Sequence, residues 1–325
     1  MPVRSVVVFA LGGSLIAAPL AAHAQPAGKV YRIGYLSALS AASAPDAFKQ
    51  KLRELGYVEG RNLVIEFRST EGKYDRLPSL ARELVRLKMD LIVTISGVSH
   101  TLALKAATKT IPVVFFAGDA VESGLVQSLA RPGGNLTGVS GLTAGLDTKR
   151  LEILKEAVPG ATRVAVLWNP ENLTGVPQRN RIALAAEALG LQPRLLEARS
   201  ASEIDTAFTV VARERLEALL VLVDPVLTAW HKRIVDLASR GRLPLVASFR
   251  SFTEAGGLIS YGPNLNEVSR QLAVYADKIL KGRKPADLPV EDLAKYELVL
   301  NLKTAKTLGL TLPQSLVVRA DEVIQ

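Results

Sequence analysis

The sequence predicts an α/β protein made of two doubly wound, parallel-sheet lobes in series, joined by a hinge of more than one strand. Three observations carry that expectation. Short, near-continuous apolar runs alternate with helical patterns, the signature of parallel strands covered on both faces. The alternation then restarts: the unit that begins at Tyr31 returns at Arg163, an offset of 132 residues that also separates Pro112 from Pro244. Finally, 325 residues suit roughly two domains of about 150 residues each.

The elements follow in order. Arg4, the apolar run from Val6 to Ala18 and the small residues of Ala22-His23-Ala24 form an export signal, with cleavage expected between Ala24 and Gln25. That run is shorter than the roughly 20 residues of a membrane span, so residues 25–325 are expected to be periplasmic and soluble. Strand Tyr31 to Leu36, a helix from Pro45 to Leu55 stopped by Gly56, and strand Asn62 to Phe67 make a first βαβ unit. Its second copy is strand Arg163 to Trp168, a helix from Val176 to Leu189 stopped by Gly190, and strand Pro193 to Glu197. Three further strand pairs continue the match. They are Asp90–Ile95 with Ala218–Val223, Ile111–Phe116 with Leu243–Ser248, and Asn135–Val139 with Gly257–Tyr261.

The Gly- and Thr-rich stretch from Gly138 to Gly145 reads as the first crossover between lobes. A helix after Asn264, with Val268, Leu272, Tyr275, Ala276 and Ile279 on one face, has no earlier counterpart and is read as returning to the first lobe. Lobe one is therefore expected at 25–140 plus about 264–295, and lobe two at 141–263 plus about 296–325. Lobes joined by two or three segments can close like jaws.

Composition removes whole classes of chemistry. There is no cysteine, hence no thiol nucleophile, disulfide, iron–sulfur cluster or thiolate zinc site, and the only histidines are His23, His100 and His231. No cofactor or metal is expected. The net charge of +9 sits on helix faces interleaved with acids, as at Lys49 to Glu54 and Arg213 to Glu217, which reads as a solvated surface and no nucleic-acid footprint. Neither a P-loop, a G-x-S-x-G elbow nor a G-x-G-x-x-G fingerprint occurs, and no acid stands at an indicative spacing from Ser99 and His100. No catalytic residue is assigned. A monomer that binds rather than transforms a small molecule is the expectation.

In open α/β sheets ligands sit beyond the carboxyl ends of the strands, which in two facing lobes converge on one cleft. The candidates are thus Ser37, Ser40, Ser96, Gly97, Ser99 and Asp119 in the first lobe. In the second they are Asn169, Asn172, Asp224, Phe249 and Tyr261. Ser96, Ser99 and the free N–H groups of the helix opening at Gly97 suit a carboxylate, and Asp119 and Asp224 suit an ammonium group. Together they suit a zwitterion such as an amino acid. Tyr35, Trp168, Phe249 and Tyr261 admit an aromatic one.

Four stretches also resemble a known family. They are Ala130 to Gly138 (ARPGGNLTG), Val164 to Pro170 (VAVLWNP), Glu254 to Pro263 (EAGGLISYGP) and Leu298 to Leu310 (LVLNLKTAKTLGL). Together they are similar to those of ABC-transporter substrate-binding proteins of the tryptophan/tyrosine-uptake-like group. The resemblance implies a type I periplasmic-binding-protein fold, ligand closed between the lobes, and delivery to a membrane permease driven by a separate ATPase. Ala120 stands where the group commonly has proline after Gly-Asp, so the resemblance leaves the ligand's identity open. Two other readings of the lobes remain: a sensor presenting a small molecule to a membrane receptor, and, more remotely, a two-lobed transferase. Neighbouring permease and ATPase genes, or a kinase or cyclase gene, would separate transport from sensing.

Overall fold

The computed structural model describes residues 29–38, 44–141, 144–293 and 295–325. The expected export signal, residues 1–24, and Ser40 lie outside the described residues. The first sheet is built by β1 (Tyr31–Ser37), α1 (Asp46–Glu54), β2 (Leu63–Ser69), α2 (Leu77–Arg86), β3 (Leu91–Thr94), α3 (Gly97–Ala107), β4 (Val113–Gly118) and β5 (Leu136–Gly141). Then come α4 (Ala144–Ala157), β6 (Arg163–Trp168), α5 (Gly175–Ala188), β7 (Gln192–Glu197), α6 (Ala201–Arg213) and β8 (Ala218–Val221). The second lobe continues with α7 (Pro225–Ala229), α8 (His231–Arg240), β9 (Leu245–Ala247), α9 (Arg250–Glu254) and β10 (Ile259–Gly262). The chain ends with α10 (Leu265–Leu280), β11 (Glu291–Asp292), β12 (Glu297–Asn301), α11 (Leu302–Leu308), α12 (Gln314–Arg319) and β13 (Glu322–Ile324).

Strand order is β2-β1-β3-β4-β5-β11 in one sheet and β7-β6-β8-β9-β10-β12-β13 in the other. The first five strands of each follow the same doubly wound order, so the sequence repeat is a structural one. Alternate side chains of each strand enter cores on opposite faces, as period-2 geometry requires. Ile33 and Tyr35 pack with Phe48 of α1 and Leu272 of α10, while Leu36 packs with Leu80 and Leu84 of α2. In the second sheet Val164, Val166 and Trp168 face α5, and Ala165 and Leu167 face α6 and α8. Helices bury one stripe each: α2 covers the sheet with Leu77, Leu80, Ala81 and Leu84, spaced by three and four residues.

The chain passes between the sheets three times. After β5 the helix α4 packs on β8, β9 and β10; after β10 the helix α10 packs on α1, β3, β4 and β5. Then β11 pairs with β5 in the first sheet, and β12 joins the second antiparallel to β10. Two glycines let strands meet here. A Cβ at Gly138, whose φ is +150°, would lie 2.1 Å from the Phe115 carbonyl oxygen, and one at Gly262 would lie 2.0 Å from that of Ser248. No helix among the described residues is long and apolar enough to cross a membrane.

Candidate functional site

The carboxyl ends of the two sheets face a shared cavity of about 930 Å³, its open mouth included. Lobe one contributes Ala38 after β1, Ser96 to Val98 at the start of α3, and Phe116 to Gly118 at the end of β4. Lobe two contributes Leu146 and Arg150 of α4, Asn172, Thr174 and Gln178 around the start of α5, Val223 to Pro225 after β8, and Phe249. Pro263, Leu265 and Tyr296 of the connecting segments close one side. The walls are largely apolar, which suits a ligand with a sizeable hydrophobic body.

Five of the expected residues line this cavity: Ser96, Gly97, Asn172, Asp224 and Phe249. Ser96 Oγ accepts from Ala38 N at 2.9 Å, so it ties β1 to β3 as well as facing the cleft. It makes no side-chain cap on α3, and Gly97 adopts φ +80° to begin that helix. Asn172 Nδ2 donates to the Val223 carbonyl, and its Oδ1 accepts from Thr174 N and Oγ1, which fixes the turn into α5.

The other five described candidates are not among the lining residues. Ser37 is buried at the end of β1, and Ser99 is buried within α3 with no partner for its hydroxyl among the described residues. Asp119 adopts φ +47° just past β4, and its N–H donates to the Gly141 carbonyl, so it shapes the loop. Asn169 lies behind Asp224 and donates to its Oδ1 at 3.3 Å. Tyr261 contributes its carbonyl rather than its ring: the oxygen accepts from Arg150 Nε, while the ring tilts against Tyr296 at 6.4 Å. Tyr35 and Trp168 are core residues, and the aromatic rings of the cavity are Phe116, Phe249 and Tyr296.

Sequence reasoning missed Arg150, Gln178 and Tyr74. Arg150 is 1% exposed and pairs with Asp147 at 2.8 Å, and Asp147 is also 3.5 Å from Arg181. Burial pushes the Asp147 carboxyl up, and the two arginines oppose it. The signal was present as an Asp-x-x-Arg pair in a helix that starts at the crossover. Tyr74 approaches from lobe one, and its hydroxyl donates to Asp224 Oδ2 at 2.8 Å. Asp224 also caps α7 through Leu227 N at 2.9 Å. Burial raises the Asp224 carboxyl, and these hydrogen bonds oppose the shift. Among the described lining residues Arg150 and Asp224 are the two that carry charge, one of each sign.

A family model described as ABC transporter substrate binding protein matches residues 33–324. The chain belongs to that family. It is a family of substrate-binding proteins rather than of enzymes, and the fold is of the two-lobed type I periplasmic-binding kind. A tyrosine-binding protein of Clostridioides difficile is 28% identical over 268 residues, 82% of this chain and 76% of the relative. Among solved structures, an ABC domain from Streptococcus pneumoniae in complex with L-Trp is 27% identical with a TM-score of 0.80. A conserved domain protein from Vibrio cholerae is 28% identical with a TM-score of 0.81; both matches cover 91% of this chain and 100% of theirs.

Proposed function

We propose that this substrate-binding protein is the solute-capturing component of an ABC importer, exported to the periplasm, and that it takes an aromatic amino acid between its lobes. One observation carries the ligand class: a largely apolar cavity between the sheets holds one buried cation, Arg150, and one buried anion, Asp224. Arg150 is paired with Asp147 but keeps Nη2 without a hydrogen bond among the described residues, and Asp224 offers carboxyl oxygens to an ammonium group. A zwitterion with a large hydrophobic side chain therefore suits both groups and the apolar walls. The ligands named for the tyrosine-binding and L-Trp-bound relatives support the same class.

Capture works by closure. Contacts made only when both lobes engage shift an open–closed equilibrium, and a permease recognises the closed shape while a separate ATPase drives transfer. The bond from Tyr74 to Asp224 is such a contact, since its two residues belong to different lobes. Gentle purification followed by denaturation and mass spectrometry of whatever is released tests the reading. An aromatic amino acid is the expected product; sugars alone, or a metal ion alone, would sink it.

A further inference from the structure

Two residues on neighbouring helices of lobe two line the cavity, and each keeps a donor without a partner among the described residues. Arg150 commits Nε to the Tyr261 carbonyl at 2.7 Å and Nη1 to Asp147 Oδ1 at 2.8 Å, and Nη2 makes no hydrogen bond among the described residues. Gln178, in the first turn of α5, is as deeply buried as Arg150, and its Nε2 also has no partner among the described residues. Helices α4 and α5 pack on each other, and both side chains line the cavity. A desolvated donor left without an acceptor is costly, and two of them on packed helices lining one cavity suit the two oxygens of one carboxylate.

The surrounding charge agrees. Asp147 is shared between Arg150 and Arg181, so one carboxylate faces two guanidinium groups. The field of Asp119 also reaches Asp147, but Asp119 does not line the cavity. The 14-residue helix α5 starts beside the cavity at Thr174 with no side-chain cap, so its positive end adds to the attraction. The opposite wall offers less: Ser96 Oγ already accepts the Ala38 N–H, and no cation among the described residues lines lobe one's side of the cavity.

We infer that Arg150, Gln178 and the start of α5 form a carboxylate subsite, so that the ligand is held by its carboxylate on lobe two and not, as the sequence suggested, on Ser96 and the start of α3. The inference rests on the amino-acid reading above and makes Gln178 a specificity-determining residue. It selects for a free carboxylate over a decarboxylated amine.

Isothermal titration calorimetry of the exported chain tests it with L-tryptophan, tryptamine and indole-3-propionate, and with the tyrosine counterparts of each. The amines, which lack the carboxylate, are expected to bind at least about 100-fold more weakly than the amino acids, a loss of the size expected when charge-assisted bonds go unmade. Gln178→Glu, which sets a like charge against the carboxylate, and Gln178→Leu, which removes the donor, are expected to weaken the amino acids by about tenfold or more and to leave the amines no weaker. Circular dichroism checks that both variants fold; should either fail, the analogue series on the unaltered protein still decides.

Amines that bind as tightly as the amino acids overturn the subsite and leave the aromatic reading standing. So do folded Gln178 variants with undiminished affinity. Propionates that bind where amino acids do not overturn the amino-acid reading and leave the subsite standing. Binding of none of the six overturns both.

Discussion

Asp147 shows how one buried residue can decide a neighbour's role. Its side chain is fully buried, and it holds Arg150, itself buried, at 2.8 Å. Removing one partner of such a pair strands the other charge, which costs about 3–5 kcal/mol. Asp147→Asn is therefore expected to lower stability by about 3 kcal/mol or more in urea denaturation; a loss below about 1 kcal/mol would mean that the arginine is solvated in some other way. Gly138 sets the same kind of condition on the backbone, because any Cβ there meets the Phe115 carbonyl oxygen at 2.1 Å. Gly138→Ala should destabilise by well over about 1 kcal/mol, the sign opposite to that of a Gly→Ala change at a tolerant site. Gly138 opens the glycine-rich stretch that the sequence marks as a crossover, and Asp147 follows it by two residues. The Gly138 contact is not visible there, since the Phe115 oxygen arrives from another strand; the Asp147–Arg150 pair is visible as i,i+3 spacing in α4, but its burial is not.

At the level of elements, local rules carried most of the reading. Parallel strands buried on both faces announce themselves as apolar runs, and Arg163–Trp168 was legible to the residue. The ends of α1 and α5 were legible through Gly56 and Gly190, while the cap of α6 was not read from the sequence. Ser200 caps α6 by accepting from Glu203 N at 3.3 Å, while Glu203 reaches back to Arg199 N at 3.0 Å. Ser200→Ala should cost about 1 kcal/mol in thermal denaturation and leave ligand affinity unchanged, because α6 is remote from the cavity-lining residues; a loss of affinity would contradict that separation. The site was only partly legible. The rule that ligands sit past strand ends found Ser96, Gly97, Asn172, Asp224 and Phe249. It could not find Arg150, well inside α4, or Gln178, at the end of the first turn of α5, since the rule looks only at the residues that directly follow a strand.

For the molecule as a whole, the decisive contacts join lobes. Tyr74→Phe removes the hydroxyl that meets Asp224 across the cleft at 2.8 Å. A loss of roughly 1 kcal/mol, about fivefold in ligand affinity, is expected, together with a less compact ligand-bound particle in solution scattering. Unchanged affinity and unchanged compaction would show that closure does not use this bond. Acid sensitivity has a separate source beneath the cleft. Burial lowers the His100 pKa from 6.5 to about 4, so between those values the unfolded chain takes up a proton that the folded chain refuses. The contribution of His100 is complete above pH 6.5 and is lost as the pH falls toward 4, by about 3 kcal/mol in all. Denaturation at pH 7, 5.5 and 4.5 should show this fall, and His100→Leu should flatten it; parallel curves would exclude His100 as the cause.

The sequence by itself determined the class of the protein: two copies of one strand-and-helix order, a cleft where their strand ends converge, and a composition without thiols or catalytic motifs. It could do so because strand burial, helix periodicity and turn residues are local properties. Only the tertiary structure decided which polar groups meet in the cleft. The chain crosses between sheets three times, and those crossings bring α4, α5, Tyr74 and Asp224 together across as many as 150 residues. Pairing over such a separation depends on how whole lobes pack, a property that no short window of residues contains.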